Sequence, residues 1–489
     1  MDFIRDDGRI LHFTTADNIT FTAESGIRER LYSVSGGGYK LVDADDNVEL
    51  YDGAGKLLSV TDRAGRTQTM AYTNNLLTSV TDSFGHILSL SYDTQNRLQT
   101  VTAPDGRSVN YSYDGAGHLS TVIYPDNTTQ QLRYQDPNWP NGLSSLIDNN
   151  GATHLSWSYD TQGRVVAEHL AGGASAMSYT YNANGSTTAT DALGVQRTFG
   201  SAQVGGHMKN TSISGAPCVS CGYTPLTTYD TNGYVASTKD YNGVTTTYVH
   251  DATGRETSRT EASGTAQART ITTSWNSSFN NLPSQIDEPG RRTNFSYDSH
   301  GNLLSKSVKD TSSNATRTWS WTYNSLGQVL TANGPRTDVN DVTTYSYNNC
   351  TSGAQCGQIQ TITDALNHVT TITSYDANGR PLQLTDANGV ITMLNYNARG
   401  WLVSLPVWRD TNQPRLLVMT RSVSSPRCSS QLGPAMATPM MVRIVWCRSP
   451  INLATRSSTR WMRWAIARKS KCSTPAIPSC GRTAVSSMP

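Results

Sequence analysis

A Tyr-Asp pair followed by a glycine-rich or asparagine-rich turn recurs along this chain at an interval of about 21 residues. The segment Tyr51-Asp52-Gly53-Ala54-Gly55 returns as Tyr92-Asp93-Thr94-Gln95-Asn96 and again as Tyr113-Asp114-Gly115-Ala116-Gly117. The repeat tyrosines Tyr51, Tyr72, Tyr92, Tyr113 and Tyr134 are separated by 21, 20, 21 and 21 residues. A fixed period of this length is the signature of a repeat architecture. Further copies begin at Tyr159, Tyr181, Tyr229, His250, Tyr297, Tyr323, Tyr375 and Tyr396.

Each repeat has the pattern of two short strands and two turns. In the clearest unit, Leu98–Thr102 and Ser108–Tyr113 alternate in polarity, and Asp105-Gly106 between them is a strong hairpin signal. A single hairpin buries too little apolar surface to be stable alone, whereas stacked copies form one continuous sheet. The sequence therefore predicts an all-β array of consecutive antiparallel hairpins. The recurring tyrosines should form a ladder on one face, and each paired aspartate should accept hydrogen bonds from its own turn.

The composition agrees with such an array and gives no sign of a membrane segment. The 489 residues include 23 Tyr, 39 Gly and only 7 Phe, which suits half-buried strands and turns better than a large helical core. The first residues, Met1 to Asp7, lack the basic and apolar regions of a secretory signal. No apolar run approaches the roughly 18 residues that a membrane helix needs.

The repeat unit Tyr-Asp-x-x-Gly-x-Leu-x-x-Val-Thr-Asp-x-x-Gly-x-x-x-x-Tyr-x-Tyr resembles the YD repeat of rearrangement-hotspot (Rhs) proteins, wall-associated toxins and teneurins. The resemblance extends from residue 1 to about 404. It implies a spiralling sheet that forms a hollow β-shell, which encloses or presents a C-terminal toxin. Because Asp7-Gly8-Arg9-Ile10 looks like the second half of a unit, we expect a truncated chain without the family's N-terminal plug. No self-cleavage core or toxin motif is recognisable.

The last part of the chain differs sharply from the rest. Residues 405–489 hold 13 Lys or Arg and one acidic residue, Asp410, and they contain no Tyr or Phe. Met419, Met440 and Trp461 nevertheless keep the spacing of 21. Methionine and tryptophan each have a single codon. When the reading frame is moved two bases downstream, the codon that begins in each of these three residues encodes aspartate. We therefore interpret this segment as a frameshifted continuation of the repeats. It should be disordered, because it was never selected to pack. The alternative interpretation is a basic domain that either binds nucleic acid or is a toxin.

Few residues are candidates for chemistry. Cys218 and Cys221 form a CxxC, which is half of a zinc site or a redox pair, and Cys350 and Cys356 are the nearest second pair. Local disulfides or free thiols are the competing interpretations. The segment 43–46 contains three aspartates that are weak candidates for Ca²⁺. Because the acidic residues recur with the repeat, we interpret them as turn residues, and we predict no catalytic residue and no cofactor.

These observations predict three regions: an incomplete N-terminal β segment at 1–50, the repeat array at 51–404, and the tail at 405–489. The predicted function is that of a structural, non-catalytic part of an Rhs-type shell in bacterial contact-dependent competition. The resemblance implies a secreted or cell-surface location. The expected partners are a C-terminal toxin domain, secretion machinery and cell-surface glycans, with no nucleic acid. The alternative function is carbohydrate binding, in which aromatic residues such as Trp157, Trp319 and Trp321 stack on sugar rings.

Overall fold

The computed structural model describes residues 1–5, 9–17, 19–24, 26–173, 175–204, 207–215, 225–408 and 415–418. Within these ranges the chain consists of β-strands and turns, and the only helical element is a short 3-10 turn at Ala171–Gly173. The prediction of an all-β fold is therefore confirmed. Residues 419–489, which make up most of the predicted tail, lie outside the described ranges.

Thirty-nine strands follow one another in the described ranges. They are β1 (Asp2–Ile4), β2 (Ile10–Thr14), β3 (Thr22–Ala23), β4 (Arg30–Ser33), β5 (Tyr39–Val42), β6 (Val48–Tyr51), β7 (Leu57–Thr61), β8 (Thr67–Thr73), β9 (Leu76–Thr81), β10 (Ile87–Tyr92), β11 (Leu98–Thr102), β12 (Ser108–Tyr113), β13 (Leu119–Ile123), β14 (Thr129–Arg133), β15 (Ser145–Ile147), β16 (Thr153–Tyr159), β17 (Val165–Leu170), β18 (Met177–Tyr181), β19 (Thr187–Asp191), β20 (Gln196–Val204), β21 (His207–Gly215), β22 (Leu226–Tyr229), β23 (Val235–Lys239), β24 (Thr245–His250), β25 (Glu256–Glu261), β26 (Arg269–Trp275), β27 (Pro283–Glu288), β28 (Arg291–Tyr297), β29 (Leu303–Asp310), β30 (Thr316–Tyr323), β31 (Val329–Asn333), β32 (Val342–Tyr347), β33 (Ile359–Thr363), β34 (Val369–Tyr375), β35 (Pro381–Thr385), β36 (Ile391–Met393), β37 (Asn395–Tyr396), β38 (Leu402–Trp408) and β39 (Arg415–Val418).

Strands β4 to β39 form one antiparallel ribbon of consecutive hairpins, as the repeat predicts. Among the described strands of the ribbon each pairs with its neighbours in sequence, except that β36 and β37 do not pair with each other and both pair with β38. In the described residues β4 and β39 do not pair with each other, so the ribbon is open. Its last strand, β39, lies within the segment 405–489 that the sequence assigns to the tail.

A β-bulge stands immediately before most tyrosines of the repeat. In the β12–β13 hairpin the register shifts between Ser112 and Tyr113, so that Tyr113 pairs with Leu119. The same shift precedes Tyr92 in β10 and Tyr375 in β34. Because a bulge bends its strand and increases the local twist, one bulge in nearly every unit makes the ribbon curl steadily in one direction.

The most deeply buried part of the described chain lies at its N-terminal end. Strands β1 to β3 form a separate small antiparallel sheet. This sheet packs its apolar residues against the first strands of the ribbon. Along the rest of the ribbon most strand residues are half-buried, as expected for a single-layered sheet. The buried cluster consists of Leu11, Phe13, Leu31 and Leu41.

Candidate functional site: the tyrosine ladder and the junction between coils

The repeated tyrosines form the predicted ladder, and each hydroxyl is bonded to the preceding repeat. The Tyr113 hydroxyl donates to the Leu98 carbonyl oxygen at 2.8 Å, and the Tyr92 hydroxyl donates to that of Leu77 at 2.9 Å. In most units the accepting carbonyl belongs to the first residue of a strand. That strand is the one that begins directly after the Tyr-Asp turn of the preceding repeat. Each ring therefore ties one hairpin to the next. The same bond is made by Tyr72, Tyr134, Tyr159, Tyr181, Tyr297, Tyr323, Tyr347, Tyr375 and Tyr396.

The aspartate of each pair caps its own turn, which confirms the role predicted for it. Asp93 Oδ1 accepts from the backbone N–H groups of Gln95 and Arg97, both at 2.9 Å. Asp93 Oδ2 accepts from Arg97 Nε at 2.8 Å. The backbone bond from Arg97 is the main cause that holds the pKa of Asp93 below its ordinary value. The same guanidinium lies 4.4 Å from the centre of the Tyr113 ring, so the turn of one repeat also supports the tyrosine of the next.

Removal of one ladder hydroxyl should produce a measurable but small loss of stability. Tyr113→Phe deletes the hydrogen bond to the Leu98 carbonyl, and we expect the free energy of unfolding in urea to fall by about 1 kcal/mol. Tyr111→Phe is the matched control, because no hydrogen bond of the Tyr111 hydroxyl is seen in the described part of the chain. Equal losses in the two variants would show that the ladder bond does not contribute.

The ribbon has two edges, and each edge is a row of turns. We call the turns that follow the ladder tyrosines, such as Asp93–Arg97 and Asp376–Arg380, the Tyr-Asp turns. We call the turns at the opposite ends of the strands, such as Ala103–Arg107 and Tyr124–Thr128, the distal turns. Both kinds of turn have five residues and the same two backbone hydrogen bonds. The N–H of the first residue donates to the carbonyl oxygen of the fifth, and the N–H of the fourth residue donates to the carbonyl oxygen of the first.

Distal turns in the first part of the ribbon contact Tyr-Asp turns much later in the sequence. Asn378 Nδ2 donates to Asp105 Oδ2 at 2.5 Å, and Arg380 Nη2 lies 3.5 Å from the same oxygen. Arg399 Nε donates to Asp126 Oδ2 at 2.7 Å. The residues joined by the bonds from Asn378 and from Arg399 are 273 positions apart in both cases. This distance equals 13 intervals of 21 residues.

The same junction continues towards the start of the ribbon with other chemistry. The Asn280 N–H donates to Asp46 Oδ2 at 2.8 Å. Gly357 lies so close to the Phe84 ring that a Cβ there would overlap the ring. Between these two contacts, the Ala64 methyl group is in close contact with Gly327. The junction is therefore polar where acids meet Asn or Arg, and apolar where Ala64 and Phe84 meet glycine.

One circuit of the ribbon, which we call a coil, takes between 21 strands, from Asp46 to Asn280, and 24 strands, from Asp126 to Arg399. The distal turn between β11 and β12 meets the Tyr-Asp turn between β34 and β35, so that β12 through β34, or 23 strands, separate them. The turns around Phe84 and Gly357 are separated by β10 through β32, which is again 23 strands. The ribbon thus winds so that successive coils meet edge to edge, and the edges are joined by side chains.

The contact between Arg399 and Asp126 should stabilise the junction. Arg399 also stacks on Tyr124 at 3.9 Å, so Arg399→Ala should lower the free energy of unfolding by about 1–2 kcal/mol. Amide exchange in the turn 124–128 should accelerate, although this turn is distant in sequence. Arg164→Ala is the control, because Arg164 pairs with Asp160 in its own turn. Unchanged exchange at 124–128 in Arg399→Ala would contradict the junction.

The candidate metal ligands have other roles wherever the structure describes them. Cys350 and Cys356 form a disulfide within the loop 348–358, next to the Phe84 contact, which agrees with the local disulfide that competed with a zinc pair. Cys218 and Cys221 lie outside the described residues. Asp43 caps its turn through Asp45 and Asn47, and no cluster of metal-ligating side chains occurs in the described part of the chain. Asp46 is occupied by Arg30 and Asn280.

Models of known protein families match parts of the repeat region. A family model described as Teneurin YD-shell matches residues 46–190, and one described as RHS Repeat matches residues 229–266 and 357–391. No curated protein matches the chain. No helix in the described ranges is long and apolar enough to cross a membrane.

Several solved structures are similar to the chain at low identity. The crystal structure of TcdB2-TccC3-TEV has 13% identity and a TM-score of 0.43, over 86% of this chain and 26% of that chain. TcdB2-TccC3 without its hypervariable C-terminal region has 13% identity and a TM-score of 0.44, over 80% and 26%. The Tc holotoxin pore of Photorhabdus luminescens has 11% identity and a TM-score of 0.28, over 79% and 26%. The chain thus spans about a quarter of the length of each of these chains.

A ribbon of Tyr-Asp hairpins whose coils meet edge to edge defines a structural β-shell repeat protein. The matches to the YD-shell and RHS repeat models agree with this class. The repeats of this chain are of the YD, or Rhs, type over the residues that these models match.

Proposed function

We propose that this chain is a wall of an Rhs-type shell that encloses or presents a C-terminal toxin in contact-dependent competition between bacteria. The observation that supports the proposal is the junction between coils. A wall that retains a protein must have no open seam, and the bonds of Asp105 with Asn378 and of Asp126 with Arg399 close the seam between successive coils. The repeat families matched by the chain are structural, which agrees with a role without catalysis.

The aromatic residues support a shell better than they support carbohydrate binding. Most ladder tyrosines are half-buried and use their hydroxyls within the sheet. Trp157, Trp319 and Trp321 are half-buried as well, and the Lys306 ammonium group lies 5.8 Å from the Trp319 ring. Rings in this state offer a sugar less free surface than rings along an open groove.

Sequencing the DNA downstream of this reading frame and expressing what it encodes would test the proposal. DNA downstream of this reading frame should encode further Tyr-Asp repeats in the shifted frame and then a toxin domain. Expression of that domain alone should stop bacterial growth, and expression behind the restored repeats should not. A downstream region without repeats, or a C-terminal domain with no effect on growth in either form, would overturn the proposal. We also propose that the complete protein is secreted or held at the cell surface, which fractionation of the cells would test.

A further inference from the structure

One Tyr-Asp turn at the junction between coils is enlarged and closed by a disulfide. The Asn348 N–H donates to the Gln358 carbonyl oxygen at 2.8 Å, and the Gly357 N–H donates to the Asn348 carbonyl oxygen at 2.9 Å. These are the two bonds that close an ordinary turn, so this turn has eleven residues in place of five. The disulfide of Cys350 with Cys356 makes a ring inside it, and we call it the disulfide turn.

The disulfide turn lies on the distal turn Asp82–His86 of the preceding coil. The Phe84 ring is in contact with Gly357, and Gly85 lies against the carbonyl oxygen of Thr351. Each contact involves the residue that directly follows one of the two cysteines. The ring that the disulfide closes therefore fixes both of the residues that contact the preceding coil.

The disulfide turn is also joined to the turns beside it in its own coil. The Gln328 Nε2 group donates to the Gly357 carbonyl oxygen at 2.6 Å. On the other side, Gly379 lies against the side chain of Gln358. Movement of Gly357 would therefore break a bond within its own coil as well as the contact with Phe84.

The two sulfurs of the disulfide differ in their access to solvent. Cys356 is 0% exposed, whereas Cys350 is half-buried and is followed by exposed residues, Thr351, Ser352 and Gly353. A thiolate breaks a disulfide by attacking one of its two sulfurs directly, so access decides which sulfur is attacked. An incoming thiol therefore reaches Cys350, and Cys356 is the sulfur that leaves.

The release of Cys356 requires the disulfide turn to open. The leaving sulfur carries a negative charge, and an unpaired charge in a fully buried position is strongly unfavourable. Cys356 must therefore turn outwards to reach water, and Gly357, the next residue in the chain, moves with it. Exchange at Cys350 is in this way coupled to the loss of the contact with Phe84.

We propose that the disulfide of Cys350 with Cys356 is a thiol-exchange site that latches the junction between coils. The thiolate of a small thiol forms a bond with Cys350 Sγ, the S–S bond breaks, and Cys356 leaves and takes up a proton. A second thiolate then attacks the sulfur of the bound thiol, which releases the oxidised thiol dimer and leaves Cys350 as a thiol. Overall, two thiols lose two electrons and two protons, and the two cysteines gain them.

The latch makes one point of the junction sensitive to the redox state of the surroundings. In an oxidising environment the disulfide persists, and Phe84 stays covered. In a reducing environment the contact at Phe84 loosens, while the contact of Asp126 with Arg399, which contains no sulfur, remains. This behaviour does not depend on what the shell encloses.

The first test maps the site at which reduced glutathione attacks the oxidised full chain. After a short exposure, free thiols are blocked with N-ethylmaleimide, and the peptide that contains both cysteines is sequenced by mass spectrometry. We expect glutathione on Cys350 and N-ethylmaleimide on Cys356. Glutathione on Cys356, or a disulfide that stays intact in excess glutathione, would overturn the proposal.

The second test measures the opening by amide hydrogen exchange. In the chain treated with glutathione, the amides of Asp82–His86 should exchange about tenfold faster than in the oxidised chain, because their cover is lost. The turn Tyr124–Thr128 is the internal control, since its contact with Arg399 does not involve the disulfide, and its exchange should not change.

A variant without the disulfide separates this effect from reactions of cysteines elsewhere in the chain. Cys350→Ser combined with Cys356→Ser should show the fast exchange at Asp82–His86 both with and without glutathione. Two results would show that the disulfide does not latch the junction. One is exchange at Asp82–His86 that reduction leaves unchanged, and the other is a response to glutathione that persists in the serine variant.

Discussion

Gly357→Ala is expected to lower the free energy of unfolding by about 3 kcal/mol, one of the largest effects we predict for a single substitution in this chain. Two costs add together. The residue has φ +70°, a conformation that alanine adopts with strain. The new Cβ would also overlap the Phe84 ring on the adjacent coil, so one of the two coils must shift. Urea unfolding followed by circular dichroism measures the loss.

Two companion variants separate the costs. Gly106→Ala meets the same backbone strain at φ +78° but has open space around its Cβ, so it should lose only about 1 kcal/mol. In a Phe84→Ala background, Gly357→Ala should cost little more than Gly106→Ala does, because the ring is gone. If Gly357→Ala and Gly106→Ala prove equally destabilising in the unmodified chain, the coils do not press on each other at this point.

The sequence could predict those parts of the fold that are determined by residues of a single repeat. The alternation of Ser108–Tyr113, the Asp105-Gly106 turn and the spacing of the tyrosines each report on residues close together in sequence. Hairpins, ladder and turn caps follow from them by local geometry. The bulge before Tyr113 was missed, because a one-residue shift in pairing changes the fit of two strands and leaves the polarity pattern of either strand intact.

The junction could not be predicted, because it depends on the sum of many small rotations. The place where the ribbon returns to its own edge is set by the twist of 21 to 24 strands and by the irregular loops 276–282 and 348–358. An error of a few degrees in each strand would move the partner of Asp126 by a whole turn. The sequence did contain one usable signal, since the bond from Arg399 spans a whole number of 21-residue intervals. The disulfide of Cys350 with Cys356 was left open, because spacing alone does not distinguish it from free thiols.

Alkaline pH should unfold the array cooperatively through the tyrosine ladder. Burial raises the pKa of Tyr297, Tyr323 and Tyr375 to about 12 in each case, against about 10 for an exposed tyrosine. Their hydroxyls donate to backbone carbonyl oxygens, and a phenolate has no proton to donate. Since the folded pKa lies above the unfolded one, this stabilisation is complete below about pH 10 and is lost as the pH rises through about 12.

The measurement compares phenolate absorbance with the β-sheet signal in circular dichroism during an alkaline titration. We expect the ladder tyrosines to ionise late and together, in the same steep step in which the sheet signal disappears. The variant with Tyr297→Phe, Tyr323→Phe and Tyr375→Phe should be less stable near neutral pH, yet it should lose less of its remaining stability between about pH 8 and pH 11. Phenylalanine retains the ring and has no proton to lose, so this variant separates ring packing from ionisation. A gradual ionisation centred near pH 10 with the sheet signal intact would show that the hydroxyls are free in solution and that the ladder is held by its rings alone.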